Sequence, residues 1–244
     1  MADSHDGETT GRVVIVTGGS NWPGREIADR LARLGYAVVV SYVNDQLAAE
    51  ATVEAILTGD GTAVAVRADA ADDLDVERLF AETHELFGAI DAVVHAVRGR
   101  VAAGTVSDAL PEAFDDAWRT SVRATFVVNR HAARHVRAGG AILNIVGSPR
   151  GSAMPVRALA ATSASAVQAF TQLLAVELRD RGISVNAISV DLEQPDARGH
   201  IGDVVAFLLS GAGHGITGGV EILPDRSPEH GGSTGAVSDR KDPS

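Results

Sequence analysis

The sequence predicts an α/β protein built on one doubly wound, parallel sheet of about seven strands. Three observations carry this. Seven short runs are rich in β-branched and small apolar residues and lack in/out alternation, as strands covered on both faces should. The segments between them space apolar residues three and four apart, the helical period. No linker or composition shift interrupts the alternation, so one domain over residues 12–225 is expected. In order, the first strand is Val13 to Val16, followed by a glycine-rich turn and a helix carrying Ile27, Leu31 and Leu34. Further strands are expected at Ala37 to Tyr42, Ala63 to Arg67, Ala92 to Val97 and Ala141 to Val146. A long helix from Ala158 to Asp180, with Val167, Phe170, Leu174 and Leu178 on one stripe, precedes the strands Ile183 to Ile188 and Val220 to Leu223. Residues 1–11 and 226–244 are polar, aperiodic and expected to be disordered.

Composition narrows the function classes. The net charge of −11 disfavours nucleic acid and anionic membrane as partners. The chain has no cysteine, which removes disulfides, thiolate nucleophiles and thiolate metal sites. No apolar run approaches the roughly 18 residues of a bilayer span, and the first residues lack a basic and apolar leader, so a cytoplasmic protein is expected. The only lysine is Lys241, in the polar tail, where Schiff-base chemistry has no desolvated amine to use.

The turn after the first strand reads Thr17-Gly18-Gly19-Ser20-Asn21-Trp22-Pro23-Gly24. A glycine-rich strand-to-helix turn is where dinucleotide folds bring backbone amides against a pyrophosphate. It resembles the Thr-Gly-x-x-x-Gly-x-Gly turn of the short-chain dehydrogenase/reductase family, with Thr17, Gly18 and Gly24 matching. The resemblance implies a single-domain Rossmann-like sheet of order 3-2-1-4-5-6-7. It also implies a nucleotide site at Thr17, Gly18, Ser20, Gly24 and, after the third strand, Asp69. Trp22 stands where the family has its middle glycine: the indole either fills the cofactor's space or packs aside on the core as part of a tight helix entry. Pro23 removes one amide donor. The end of the second strand, Ser41-Tyr42-Val43, has neither a ribose-binding carboxylate nor an arginine for a 2′-phosphate. No cofactor, or weakly bound NAD(P), is the expectation.

The same resemblance locates the catalytic positions. Trp118 and Phe126 align the active-site asparagine with Ser121, and Ile142-Leu143-Asn144-Ile145 aligns the serine with Gly147. Counting back from Arg181-Gly182-Ile183-Ser184-Val185-Asn186-Ala187 puts the tyrosine at Ala160 and the lysine at Ala164. No Tyr-x-x-x-Lys occurs anywhere in the chain. The tetrad that protonates, tunes and orients in the family is therefore replaced as a set.

From these losses the sequence reads as a catalytically silent subunit that pairs with an intact short-chain reductase, or with itself. The small-residue face at Ala160, Ala164 and Ala166 to Val167 is the expected interface. The alternative is an enzyme of another class, such as a cyclase, dehydratase or isomerase. It would use His95, Ser148 and Asp191, supported by Arg98, Arg150 and Glu193 at neighbouring strand ends; a weak dinucleotide sensor is a further alternative. His131 and His135 have metal-ligand spacing, but Arg130, Arg134 and Arg137 surround them and no third ligand is evident. A solvated helix face and no metal are expected there.

Overall fold

A computed structural model describes residues 11–96, 104–147, 158–190 and 200–222. The strands are β1 (Val13–Thr17), β2 (Ala37–Tyr42), β3 (Thr62–Arg67), β4 (Ile90–His95), β5 (Val136–Gly147), β6 (Ser184–Val190) and β7 (Val220–Ile222). They form one sheet of order β3-β2-β1-β4-β5-β6-β7, every neighbouring pair parallel. The helices are α1 (Gly24–Arg33), α2 (Gln46–Thr58), α3 (Asp73–Phe87), α4 (Pro111–Ala117), α5 (Ala124–His135), α6 (Ala158–Glu177) and α7 (Ile201–Leu209).

The missing in/out alternation has a direct cause. Successive strand residues feed two separate cores, one on each face of the sheet. Val14, Val16, Val38, Val40, Val94 and Leu143 pack against Ile27 and Leu31 of α1, Ile56 of α2, and Ile201 and Val205 of α7. Ile15, Val39, Val93, Ile142 and Val185 pack against Leu79 and Phe80 of α3, Val127 and Val128 of α5, and Ala175 of α6. Both faces are covered, so most strand positions are apolar, and the polar ones such as Thr17, His95 and Asn144 are buried.

The β1–α1 turn is set by backbone proximity. Gly18 has φ +69°, and a Cβ on Gly24 would sit 2.4 Å from the Gly18 carbonyl oxygen. Asp45 and Asp72 start α2 and α3 by accepting from the amides of Ala48, and of Leu74 and Asp75. At the amino edge of the sheet the Asp91 carboxylate accepts from the Val13 amide at 2.7 Å and pairs with Arg137 at 2.5 Å, clasping β1, β4 and β5 together.

Three features depart from expectation. β5 begins at Val136, immediately after α5 and several residues before the expected Ala141. Between α4 and α5 the residues Trp118–Arg123 form a π-helical stretch. Among the described residues one helix, α6, is long and apolar enough to cross a membrane by length and composition, which the search for apolar runs missed because alanine, serine and threonine dilute it. Leu159, Ala164, Val167, Thr171 and Ala175 are nonetheless buried in the fold.

Gly24→Ala should lower stability by about 1–3 kcal/mol, because the added methyl has backbone on its path. That is roughly 2–12 °C in Tm for a chain of this size, read by calorimetry or circular dichroism.

Candidate functional site

The carboxyl ends of the strands open onto a cleft of ≈ 880 Å³. It runs from Gly18, Ser20, Asn21 and Trp22 past Ser41 to Asp45, to the β3–α3 loop with Arg67 and Asp69, and to Ala96 and Arg119. This is where an open α/β sheet binds its ligand. Of the residues assigned to a nucleotide by resemblance, Gly18, Ser20 and Asp69 line the cleft, and Gly24 supports it by packing on Gly18. Thr17 does not: its hydroxyl is 1% exposed and bonds His95 Nδ1 at 2.8 Å, so only its backbone remains for the loop.

The donor set suits the adenosine half of a dinucleotide. Asp69 is held by the Ala71 amide (2.9 Å) and by Arg119 (2.6 Å). Burial raises its pKa, but those two bonds outweigh burial and hold the carboxyl below its ordinary range. Arg67 donates its Nε to the Val43 carbonyl at 3.2 Å, which puts a guanidinium beside the end of β2 where sequence reading found no basic group. Arg119 reaches the same cleft from the π-helical stretch. Neither arginine has a local sequence signal, since each acts on residues far away in the chain.

Trp22 has swung aside. Its indole packs against the core shared by α1 and α7. It also lines the cleft, and of the two readings of Trp22 the packing on the core is the one the structure shows. Burial pushes the Glu26 carboxyl up, and bonds from the Gly202 amide and Trp22 oppose the shift.

The four tetrad positions converge. Ser121 lies in the π-helical stretch, Gly147 ends β5, and Ala160 and Ala164 lie on α6, which packs on both. Ala164 and Val167 touch Val146 of β5. Those two residues are thus interior, whereas Ala160 and Ala166 of the expected small-residue interface are half-buried. The outward side of α6 shows Leu173 and Val176, with Phe126 of α5 beside Phe170.

His95 is not poised for chemistry. It is 2% exposed and shares the inward side of its strand with Val93, facing the α3–α5–α6 core. Burial lowers its pKa from 6.5 to about 4, so it is a neutral, structural imidazole at physiological pH. Ser148 and Asp191, its expected partners, lie outside the described residues, as do Arg98, Arg150 and Glu193. Asn144 beside it in register donates to Thr171 of α6 at 3.0 Å, continuing a polar row beneath the helices. His131 also departs from expectation: it is buried rather than solvated, with Nε2 2.9 Å from Asp73, which Arg130 shares.

Several known proteins similar to this chain are named as reductases. The family profile described as Enoyl-(Acyl carrier protein) reductase matches residues 24–199. Versicolorin reductase 1 of Aspergillus parasiticus is 36% identical over 190 residues, 78% of this chain and 71% of that protein. Tetrahydroxynaphthalene reductase of Pyricularia oryzae is 35% identical over 181 residues, 73% of this chain and 63% of its own length. A short chain dehydrogenase from Burkholderia cenocepacia, solved in complex with NADP, superposes with TM-score 0.79 at 29% identity, covering 88% of this chain and 97% of that one. These findings overturn the reading of the chain as a silent partner, and with it the enzyme of another class and the weak sensor: the relatives are reductases, and a structural neighbour holds NADP.

The buried histidine yields a pH prediction. The unfolded chain takes up the His95 proton near 6.5 and the folded chain only near about 4, so its stabilising effect is complete above 6.5 and is lost as pH falls through 4. The full effect is on the order of 3 kcal/mol. His95→Asn should flatten the loss of stability between pH 6.5 and 4 in urea melts.

Proposed function

The chain belongs to the short-chain dehydrogenase/reductase family, and from that premise we propose that it is an NADP(H)-dependent reductase of aromatic or quinonoid acceptors. The observation that carries this reading is a formed nucleotide cleft beside a corner whose four tetrad positions, Ser121, Gly147, Ala160 and Ala164, carry no acid. The Gly18–Gly24 turn would face the pyrophosphate, the Asp69–Ala71 loop the adenine, and Arg67 the 2′-phosphate. When bound, the dihydronicotinamide supplies a hydride.

What the chain's own residues leave out defines the acceptor. Ser121, Gly147, Ala160 and Ala164 provide no group that protonates an oxygen at neutral pH. An aliphatic alkoxide is about as basic as hydroxide, the conjugate base of water with its pKa of 15.7. A phenolate, judged from tyrosine, has a conjugate acid near about 10. The difference of about 6 units makes the phenolate roughly 8 kcal/mol easier to release unprotonated. A quinone, whose added electron pair ends on such an oxygen as the ring becomes aromatic, takes its proton from water and needs no tyrosine. One relative is named tetrahydroxynaphthalene reductase, which supports a fused aromatic ring system as the frame of the substrate.

A cytoplasmic protein that pairs with itself is part of this proposal. The exposed Phe126, Leu173 and Val176 on α5 and α6 support that pairing.

Oxidation of NADPH should occur with naphthoquinones and be absent with cyclohexanone. No turnover with any aromatic acceptor overturns the reading, and ordinary rates on simple ketones overturn the acceptor class. Arg67→Ala should weaken NADPH binding about tenfold, as expected for losing one hydrogen bond to a charged group, and leave NADH binding unchanged in calorimetry. Leu173→Glu together with Val176→Glu should shift the protein toward monomer in light scattering.

A further inference from the structure

Residues 68–72 link β3 to α3 and line the end of the cleft that suits adenosine. β3 is the edge strand of the sheet, so no further strand end backs this loop from outside. Part of its order is local. The Asp69 amide donates to Asp75 Oδ2, the Ala71 amide to Asp69 Oδ1 and the Asp72 amide to the Asp69 carbonyl, each at 2.9 Å.

The rest comes from an element far along the chain. Arg119 donates to Asp69 Oδ2 at 2.6 Å, and Arg123 donates its Nε–H to the Ala71 carbonyl at 3.0 Å. Both lie in the π-helical stretch Trp118–Arg123, four residues apart and so on one side of it. The Ala124 amide closes on the Arg119 carbonyl, five residues back, the spacing that defines such a stretch. The grip continues along α5, where Arg130 at 2.8 Å and His131 at 2.9 Å share the Asp73 carboxylate in the first turn of α3. A carboxylate offers about four acceptor positions, so Asp69 keeps room for a ligand's amino group while Arg119 and the Ala71 amide fix its plane. Ser121, at the tetrad corner, stands between the two arginines in sequence, so one short stretch serves both ends of the cleft.

We propose that Arg119 and Arg123 are positioning residues for the adenosine end of the cleft: Arg119 acts through the Asp69 carboxylate and Arg123 through the Ala71 carbonyl, and together they hold the β3–α3 loop in its binding shape. The role in binding rests on the reductase reading above, because the shape of this loop matters only if a dinucleotide enters.

The amides of Asp69, Ala71 and Asp72 report on the loop directly, since each donates one of its local bonds. In the ligand-free protein carrying both Arg119→Ala and Arg123→Ala, they should exchange hydrogen at least about fivefold faster, while amides of β6 stay protected and a Tm scan confirms the fold. Adenosine 2′,5′-bisphosphate, the half of NADP⁺ that would meet this loop, should bind about threefold to tenfold more weakly in either single variant by calorimetry, the worth of an ordinary hydrogen bond. In an Asp69→Ala background, Arg119→Ala should cost less than about twofold more, because its partner is already gone. Unchanged exchange overturns the proposal. So does an undiminished loss from Arg119→Ala in the Asp69→Ala background, which would mean that Arg119 meets the nucleotide itself. If the unmodified protein binds no adenosine 2′,5′-bisphosphate, the NADP(H) reading fails, and the exchange arm by itself decides whether the two arginines hold the loop.

Discussion

The turn between β1 and α1 closes because residue 24 has no side chain. With a Cβ only 2.4 Å from the Gly18 carbonyl, no other residue lets the helix start so near the strand it follows. From that proximity α1 inherits its position over the sheet, and Ile27 and Leu31 reach the core. Glu26 and Arg30, on the same helix, then meet α7, whose Ile201 and Val205 complete the layer. One whole face of the molecule, and the rim of its cleft, depends on a glycine touching a glycine.

The strands were legible because burial on both faces removes ambiguity: Val13 to Val16 and Ala37 to Tyr42 lie within a residue of where they were expected. The π-helical stretch was not, since Trp118 to Arg123 has an ordinary helical composition and the wider register comes from packing under α6. The start of β5 was hidden for a similar reason: Val136 continues a helix with no glycine or proline between. At the site, the glycines and the tetrad positions could be read from spacing along the chain. Arg67, Arg119 and the direction of Trp22 could not, because the first two are decided by Val43 and Asp69 on other elements and the third by packing on the core between α1 and α7. His131 misled because three arginines lie near it in sequence, whereas Asp73 and Phe80 surround it in space.

Position and chemistry are separable in this protein. The corner formed by β5, α6 and the π-helical stretch is held by Val146 against Ala164 and Val167, and by Asn144 donating to Thr171. None of these contacts involves a proton-transfer group, so the geometry survives whatever the tetrad positions contain. A scaffold of this kind keeps its cleft while the reaction it hosts is narrowed to substrates that supply more of the chemistry themselves.

Alanine at 160 and 164 also bears on evolvability. It is the best helix former and loses no side-chain entropy, so α6 carries none of the desolvated, strained groups that active sites ordinarily maintain at the expense of stability. The two positions are one turn apart on a single helix, which makes the corner a short mutational distance from a proton-donating pair. Ala164 already rests on Val146, however, so a long side chain there must be accommodated by trimming its neighbours first. Laboratory evolution toward plain carbonyl reduction would therefore be order-dependent: space at Val146 or Val167 before function at Ala160 and Ala164.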